Sequence, residues 1–299
     1  MPRRFMNQQP WRSWPPLAGA AVALLIVAAV VVAVTWENEP AAAPQAGDPG
    51  VVHVHGLDVD EDDGTLYAAT HTGLFRISEG VAQRVGQRYH DLMGFTVVGP
   101  DDLVASGHPD LRDESLQRLD SPPLLGLVSS PDGGQTWSPL SLLGKTDFHA
   151  LEAAHGRIYG WDATSGRFMV SADRVSWDTR SSIQLLDFAV DPADPDRIVA
   201  GTPEGTVASA DGGRTWRRAG DQPVAVLAWS DSDLIAASPE GTVLTRTRND
   251  GEWETLGDLG GQPESLHAEG TIVYASVVDR GILASRDGGR TWTVYYAPR

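Results

Sequence analysis

One octapeptide recurs along this chain at nearly constant spacing. SPDGGQTW (Ser130 to Trp137) returns as SADGGRTW (Ser209 to Trp216) and SRDGGRTW (Ser285 to Trp292), all of the form S-x-D-x-G-x-T-W. Two degenerate copies stand between them: SADRVSW (Ser171 to Trp177), one residue short, and RNDGEW (Arg248 to Trp253). The tryptophans Trp137, Trp177, Trp216, Trp253 and Trp292 are therefore 40, 39, 37 and 39 residues apart. A period near 40 residues is that of a propeller blade or a solenoid turn, in which each unit buries its apolar face only against its neighbours. A sixth unit precedes the first marker. It begins HGLDVDEDDGTLYAATHTGLFRI at His55, and its GLFRI aligns with GLVSS at Gly126 and GILAS at Gly281, although no octapeptide follows.

Each unit repeats an alternating run such as LDVD or FAVD, a turn, a second run such as LYAAT or IVAGT, a glycine, a third run, the octapeptide and a short fourth run. That grammar predicts a four-stranded antiparallel blade. An open array of blades exposes a sheet edge at each end, so closure into a ring is favoured. The expected fold is all-β, a six-bladed β-propeller over residues 51–299. Within the octapeptide, Asp132, Asp211 and Asp287 are expected to accept hydrogen bonds from the backbone amides of their own hairpins, and Ser130, Ser209, Ser285, Thr136, Thr215 and Thr291 are counted as structural positions of the same motif. Gly134, Gly213 and Gly289 supply a positive φ, and Trp137, Trp216 and Trp292 plug the gap beside the next strand. These are structural assignments, on the rim opposite any site at the strand starts.

The octapeptide and its spacing resemble the BNR or Asp-box repeats of sialidases, sortilin-type receptors and photosystem assembly propellers. The run HVHGL, THTGLF, DLMGF, SGHPD and DFHAL is more similar still to a bacterial group often labelled glycosyl hydrolase or exo-sialidase. For a sialidase the resemblance implies three arginines gripping a carboxylate, a Tyr nucleophile with a Glu partner, and an Asp acid/base on or beside the inner strands. The inner strands expected here are 55–60, 93–98, 149–153, 186–190, 225–229 and 264–268, and none contains Arg or Tyr. Phe75, Arg76 and Ile77 match three letters of the sialidase FRIP signature but fall in a third strand. Arg88 and Tyr89, in a loop, leave another glycoside hydrolase as the alternative.

The N-terminus sets the expected location. Leu17 to Thr35 is uncharged and rich in Ala, Val, Leu and Ile, and about 19 residues at ~1.5 Å each approach the ~30 Å of a hydrocarbon core. Arg3, Arg4 and Arg12 precede it and Glu37 and Glu39 follow, which places the N-terminus in the cytoplasm and the remainder outside. The reading is a cytoplasmic basic segment over 1–16, a transmembrane signal anchor over 17–36 and a flexible linker over 37–50, with a signal peptide cleaved at the small residues Ala41 to Ala43 as the alternative. A single-pass protein of the cell membrane, its propeller on the extracytoplasmic side, follows. There is no cysteine, so neither a disulfide, a thiolate metal site nor a lipidated cysteine is available. Residues 36–299 carry 20 basic against 40 acidic side chains, which argues against nucleic acid as a partner.

Aligning the inner strands on HGL, MGF, HAL, LDF, AVL and ESL puts His55, Met93, His149, Leu186, Ala225 and Glu264 at equivalent positions. Aligning the second strands on LYAATH and LVASGH puts His71 and His108 at another. The start of one antiparallel strand lies beside the end of the next, so all five ligand-type side chains are expected on one rim, in units one to three. His55, His71, His108 and His149 with Met93 form the candidate metal site. Imidazole suits copper and zinc, and a thioether tips the choice toward copper. The long insertion from His108 to Leu125 emerges on the same rim. His53 shares a strand face with His55, His90 and Asp91 read as surface loop, and His155 and His267 as peripheral. The chain reads as a binding module for a metal ion, with an unknown protein or glycan as the next candidates for partner.

Overall fold

The computed structural model describes residues 49–298 apart from 79, 232 and 248–251, and in it the chain forms six four-stranded antiparallel sheets. These are the blades, spanning residues 54–84, 91–141, 148–182, 187–220, 226–258 and 263–296. The proposed anchor, most of the linker and the turn of the RNDGEW copy lie outside the described residues. Among the described residues no helix is long and apolar enough to cross a membrane. The one helical element among them is the 3-10 turn Glu114–Leu116, inside the long insertion.

The first strand of every blade is the innermost: Val54–Asp60, Asp91–Gly99, Phe148–Ala154, Asp187–Val190, Val226–Trp229 and Pro263–Glu269 together wall a central channel. They coincide with the expected inner strands to within two residues at each end. In every sheet the four strands follow chain order, so no blade borrows a strand from another. The ring closes instead by packing of Pro263–Glu269 against Val54–Asp60.

Six clusters of buried apolar residues occupy the six gaps between neighbouring blades. Tyr67, Leu74 and Val85 of blade 1 meet Leu92, Phe95 and Leu103 of blade 2, for example, and Tyr159 and Phe168 of blade 3 meet Phe188 and Ile198 of blade 4. Trp137, Trp177, Trp216, Trp253 and Trp292 each pack into the gap shared with the preceding blade, which fixes the neighbour that the sequence left as the adjoining strand. Blade 1 has no octapeptide to fill the sixth gap. Tyr274, Tyr295 and Tyr296 cover that cluster instead, around Leu57, Phe75 and Ile282.

The octapeptide hairpins are tied as expected. In blade 4, Asp211 Oδ1 accepts from Ser209 Oγ (2.8 Å) and Thr215 N (2.8 Å), its Oδ2 accepts from Thr215 Oγ1 (2.6 Å), and Ser209 Oγ accepts from Gly213 N (2.9 Å). Asp132 and Asp287 repeat the pattern with Thr136 and Thr291. Trp216 Nε1 donates to Ser181 Oγ of blade 3 at 2.9 Å, which stitches the hairpin to its neighbour. The hairpins follow the third strands, on the rim away from the starts of the inner strands.

A second set of stitches lines the channel. Asp58 accepts from Val97 N, Thr96 Oγ1 from Ala153 N, Glu152 from Val190 N, Asp187 from Leu227 N and Ser265 Oγ from Leu57 N. Each acceptor sits on one inner strand and each donor on the inner strand of the next blade. Inner-strand amides that sheet pairing leaves over thus find partners across the blade gap.

Candidate functional site

Bulges aim one side chain from each of four inner strands toward one mouth of the channel. Pairing of first and second strands skips His55 between Val54 and Gly56, Met93 between Leu92 and Gly94, His149 between Phe148 and Ala150, and Glu264 between Pro263 and Ser265. A bulged residue escapes the strict alternation of the pleat and the strand bends there, a device that re-aims side chains near functional sites. All four residues line the channel, whose volume is about 930 Å³. Three of these bulged residues, His55, Met93 and His149, are the ones the sequence alignment of inner strands singled out; Glu264 stood at the equivalent position without being taken as a ligand.

Second strands bring the other imidazoles. His71 directly follows Thr65–Thr70, its backbone N–H shared between the carbonyls of Val52 and His53 at 3.1 Å each. His108 ends Asp102–His108 and pairs in register with Asp91. Gly107 permits that close pairing: its φ is +131°, and a Cβ there would collide with the Asp91 carbonyl oxygen.

Two carboxylates tie the imidazoles together. Asp91 Oδ1 lies 3.4 Å from His55 Nε2, and Asp91 Oδ2 lies 3.0 Å from His71 Nδ1 and 3.5 Å from His108 Nδ1. Asp147 Oδ2 lies 2.9 Å from His149 Nε2 and 3.7 Å from His108 Nε2. His108 therefore addresses one carboxylate with each ring nitrogen. At the other end of the arc, Glu264 faces His53 Nδ1 at 3.2 Å and accepts from Val54 N and Ser276 Oγ. An alternating row of imidazoles and carboxylates thus runs across blades 6, 1, 2 and 3.

Burial alone would raise the Asp91 carboxyl, but the surrounding His108, His55 and His71 imidazoles outweigh it and hold Asp91 well below the usual carboxylate range. Asp91 in turn raises His108 against the effect of its burial, with Asp147 adding to the lift. Ligand atoms of His55, His71 and Asp91 all lie within 4.8 Å of one another, the separation of groups that can hold one cation.

Of the five ligand-type residues expected on this rim, His55, His71 and His108 gather around Asp91. His149 joins them only through Asp147, and Met93 lines the channel beside His55 and His149. Asp91 is the correction: far from a surface loop residue, it begins an inner strand and stands at the centre of the group. His90 beside it is buried, accepts from Asp110 N at its Nδ1 (2.9 Å), and burial pushes its imidazole below the ordinary value. His155 and His267 also line the channel rather than the periphery, His267 Nδ1 lying 3.2 Å from Asp58 Oδ1. Asp147 was equally missed. A signal for both existed in DLMGF and DFHAL, where an aspartate stands two residues ahead of the bulged Met93 and His149.

Among the described residues lining the channel there is no Arg and no Tyr. Phe75, Arg76 and Ile77 fall in the third strand of blade 1, away from it, and Arg76 donates to Tyr67 Oη. Tyr89 is clamped between Arg84 and Arg112, whose guanidinium carbons lie 4.0 and 5.0 Å from its ring centre. Arg112 is itself held by Asp110, and Arg88 Nε lies 3.3 Å from Asp113 of the insertion.

No family model and no curated protein matches the sequence. Among solved structures, the GH74 enzyme of Niastella koreensis aligns with a TM-score of 0.59 at 13% identity, over 82% of this chain and 45% of that one. The chain spans less than half the length of the GH74 enzymes it resembles. YCF48 bound to D1 peptide aligns with a TM-score of 0.51 at 14% identity, over 86% of this chain and 87% of that one. PorZ, a surface component of the type-IX secretion system of Porphyromonas gingivalis, aligns at 0.54 and 12% identity over 81% of this chain and 33% of its own. At these identities the likeness establishes the β-propeller fold and nothing about chemistry.

Proposed function

We propose that this chain is an Asp-box propeller acting as a binding module, held by its N-terminal segment on the extracytoplasmic face of the cell membrane. Its ligand rim is formed by blades 1 to 3, and the ligand is a metal ion of the copper or zinc class. One observation carries the reading: His55, His71, His108 and His149, from three blades and four strands, converge on Asp91 and Asp147. Imidazole is the common ligand of both metals, and the acidic surface raises the local cation concentration.

A glycoside hydrolase is the second reading, and the channel carboxylates Glu152 and Asp187 favour it. Burial raises both, as a general acid requires, although each is already spent on a backbone N–H of the next blade. The arrangement of arginines and tyrosine that a sialidase needs is missing from the described channel wall.

The test is titration of the full chain, purified in detergent, with Cu(II), Cu(I) and Zn(II), beside the double variant His55→Ala/His71→Ala. One equivalent bound by the wild type and at least about 100-fold weaker binding by the variant are expected. Equal, weak binding by both would leave the rim as a surface for a protein or glycan.

A further inference from the structure

Resting on the metal reading above, we infer that the ion is divalent and held by His55, His71 and Asp91. The inference starts from two atoms. His55 Nε2 and Asp91 Oδ1 are both buried, and neither makes a hydrogen bond among the described residues. Yet they face each other at 3.4 Å. A buried imidazole nitrogen and a buried carboxylate oxygen that meet only as an ion pair, without hydrogen-bond geometry, leave both under-satisfied and call for an explanation. Metal bonds of ~2.1 Å at a tetrahedral angle place neighbouring donor atoms ~3.4 Å apart. The observed spacing is that of two ligands flanking one cation.

His71 supplies the third donor, within 4.8 Å of the other two. Its side chain is 41% exposed, which leaves it free to close the remaining distance. Three protein ligands leave a coordination position open, as in sites that exchange water for a ligand. His108 stands beside this set, its Nδ1 3.5 Å from Asp91 Oδ2 and its Nε2 3.7 Å from Asp147 Oδ2. It is placed either to complete the set or to orient Asp91 from behind, and Asp147 fixes its ring in both cases.

The donor chemistry selects the charge of the ion. A carboxylate oxygen is a hard, anionic ligand that suits a divalent ion, whereas Cu(I) selects thiolate and thioether sulfur. Met93, the basis for preferring copper, lines the channel together with His55, but the donors within 4.8 Å of one another include an anionic carboxylate. That carboxylate, rather than the sulfur, sets the preference for a divalent ion.

The experiment measures Zn(II), Co(II) and Cu(I) affinities of the full chain for the wild type, Asp91→Asn, His71→Ala and Met93→Leu, with a thermal melt of each to confirm folding. Expected are tight Zn(II) and Co(II) binding, visible Co(II) absorption bands of low coordination number, and weaker Cu(I) binding. Asp91→Asn and His71→Ala should each lower Zn(II) affinity about 100-fold, and Met93→Leu less than about 3-fold. If Asp91→Asn fails to fold, His71→Ala with the Co(II) spectrum decides. Cu(I) bound more tightly than Zn(II), lost in Met93→Leu and kept in Asp91→Asn, would overturn this assignment while leaving a metal site in place. A wild type that binds none of the three ions would overturn the metal reading itself.

Discussion

Asp187 shows how one side chain links stitching to pH. It faces the channel, where burial pushes its carboxyl up to about 7 against the pull of N–H groups from Leu227 and Phe188. The unfolded chain releases this proton near pH 4, so between roughly pH 4 and 7 the folded state binds more protons than the unfolded one. Stability contributed by this residue therefore falls as pH rises through that window and stays low above it. Asp187→Asn keeps an oxygen for Leu227 N and removes the buried charge. Relative to wild type it should be nearly neutral at pH 4 and more stable above pH 7, by on the order of 2–3 kcal/mol. Urea titrations of both proteins at pH 4, 6 and 8 measure the difference, and a constant difference across the series would refute the assignment. Glu152, raised by the same burial and by the negative charges of Asp187 and Asp58, should behave alike.

The octapeptide hairpin is an element that joins one blade to the preceding one. Trp216 meets the Phe168 ring edge-on at 5.4 Å between centroids and bonds Ser181, both on blade 3. Truncation in Trp216→Ala opens a cavity in that gap and should cost about 3 kcal/mol. Gly213 has φ +85°, and a Cβ there would run into the Phe168 ring. Gly213→Ala should thus destabilise through strain and clash together. Asp211→Ala should lower the melting temperature by loosening the turn. Because these hairpins lie on the rim away from Asp91, all three variants should keep wild-type zinc affinity once folded. Loss of zinc binding without loss of stability would show that the hairpins belong to the ligand site. The bulges at His55, Met93 and His149 are the opposite kind of element, spending regular pairing to place side chains at the mouth.

At the scale of the ring, closure rests on packing and on side-chain stitches such as Leu57 N to Ser265 Oγ, since no strand is exchanged between blades 6 and 1. Val51 and Tyr296 pack on the same closing cluster, so the two ends of the propeller lie close together. The exposed loop 221–223 between blades 4 and 5 carries no apolar contact of the core. A circular permutant that begins at Gln222, ends at Asp221 and joins residue 298 to residue 49 by a short flexible linker should fold with a melting temperature within a few degrees of the parent. Near-ultraviolet circular dichroism and a melt check it. A molten product would mean that the order in which blades are made is itself required for closure.

Blade number, inner strands and hairpins were legible in the amino-acid sequence because each arises within about 40 residues, from strand alternation, turn glycines and an aspartate bonding its own hairpin. The rim bearing the imidazoles was legible for the same reason, since first and second strands of one blade are neighbours in the chain. The partners across blade gaps were not. Whether Trp216 fills the gap before or after its blade, and whether Asp91 lies between His55 and His71 or in a surface loop, depends on the rotation from one blade to the next and on a one-residue bulge at Met93. Neither leaves a periodic trace, because a bulge shifts register by one residue, and one residue is enough to turn a strand's side chains to the other face. Local hydrogen bonding made the blades, and the packing of blade 2 on blade 1 brought Asp91 against His55 and His71.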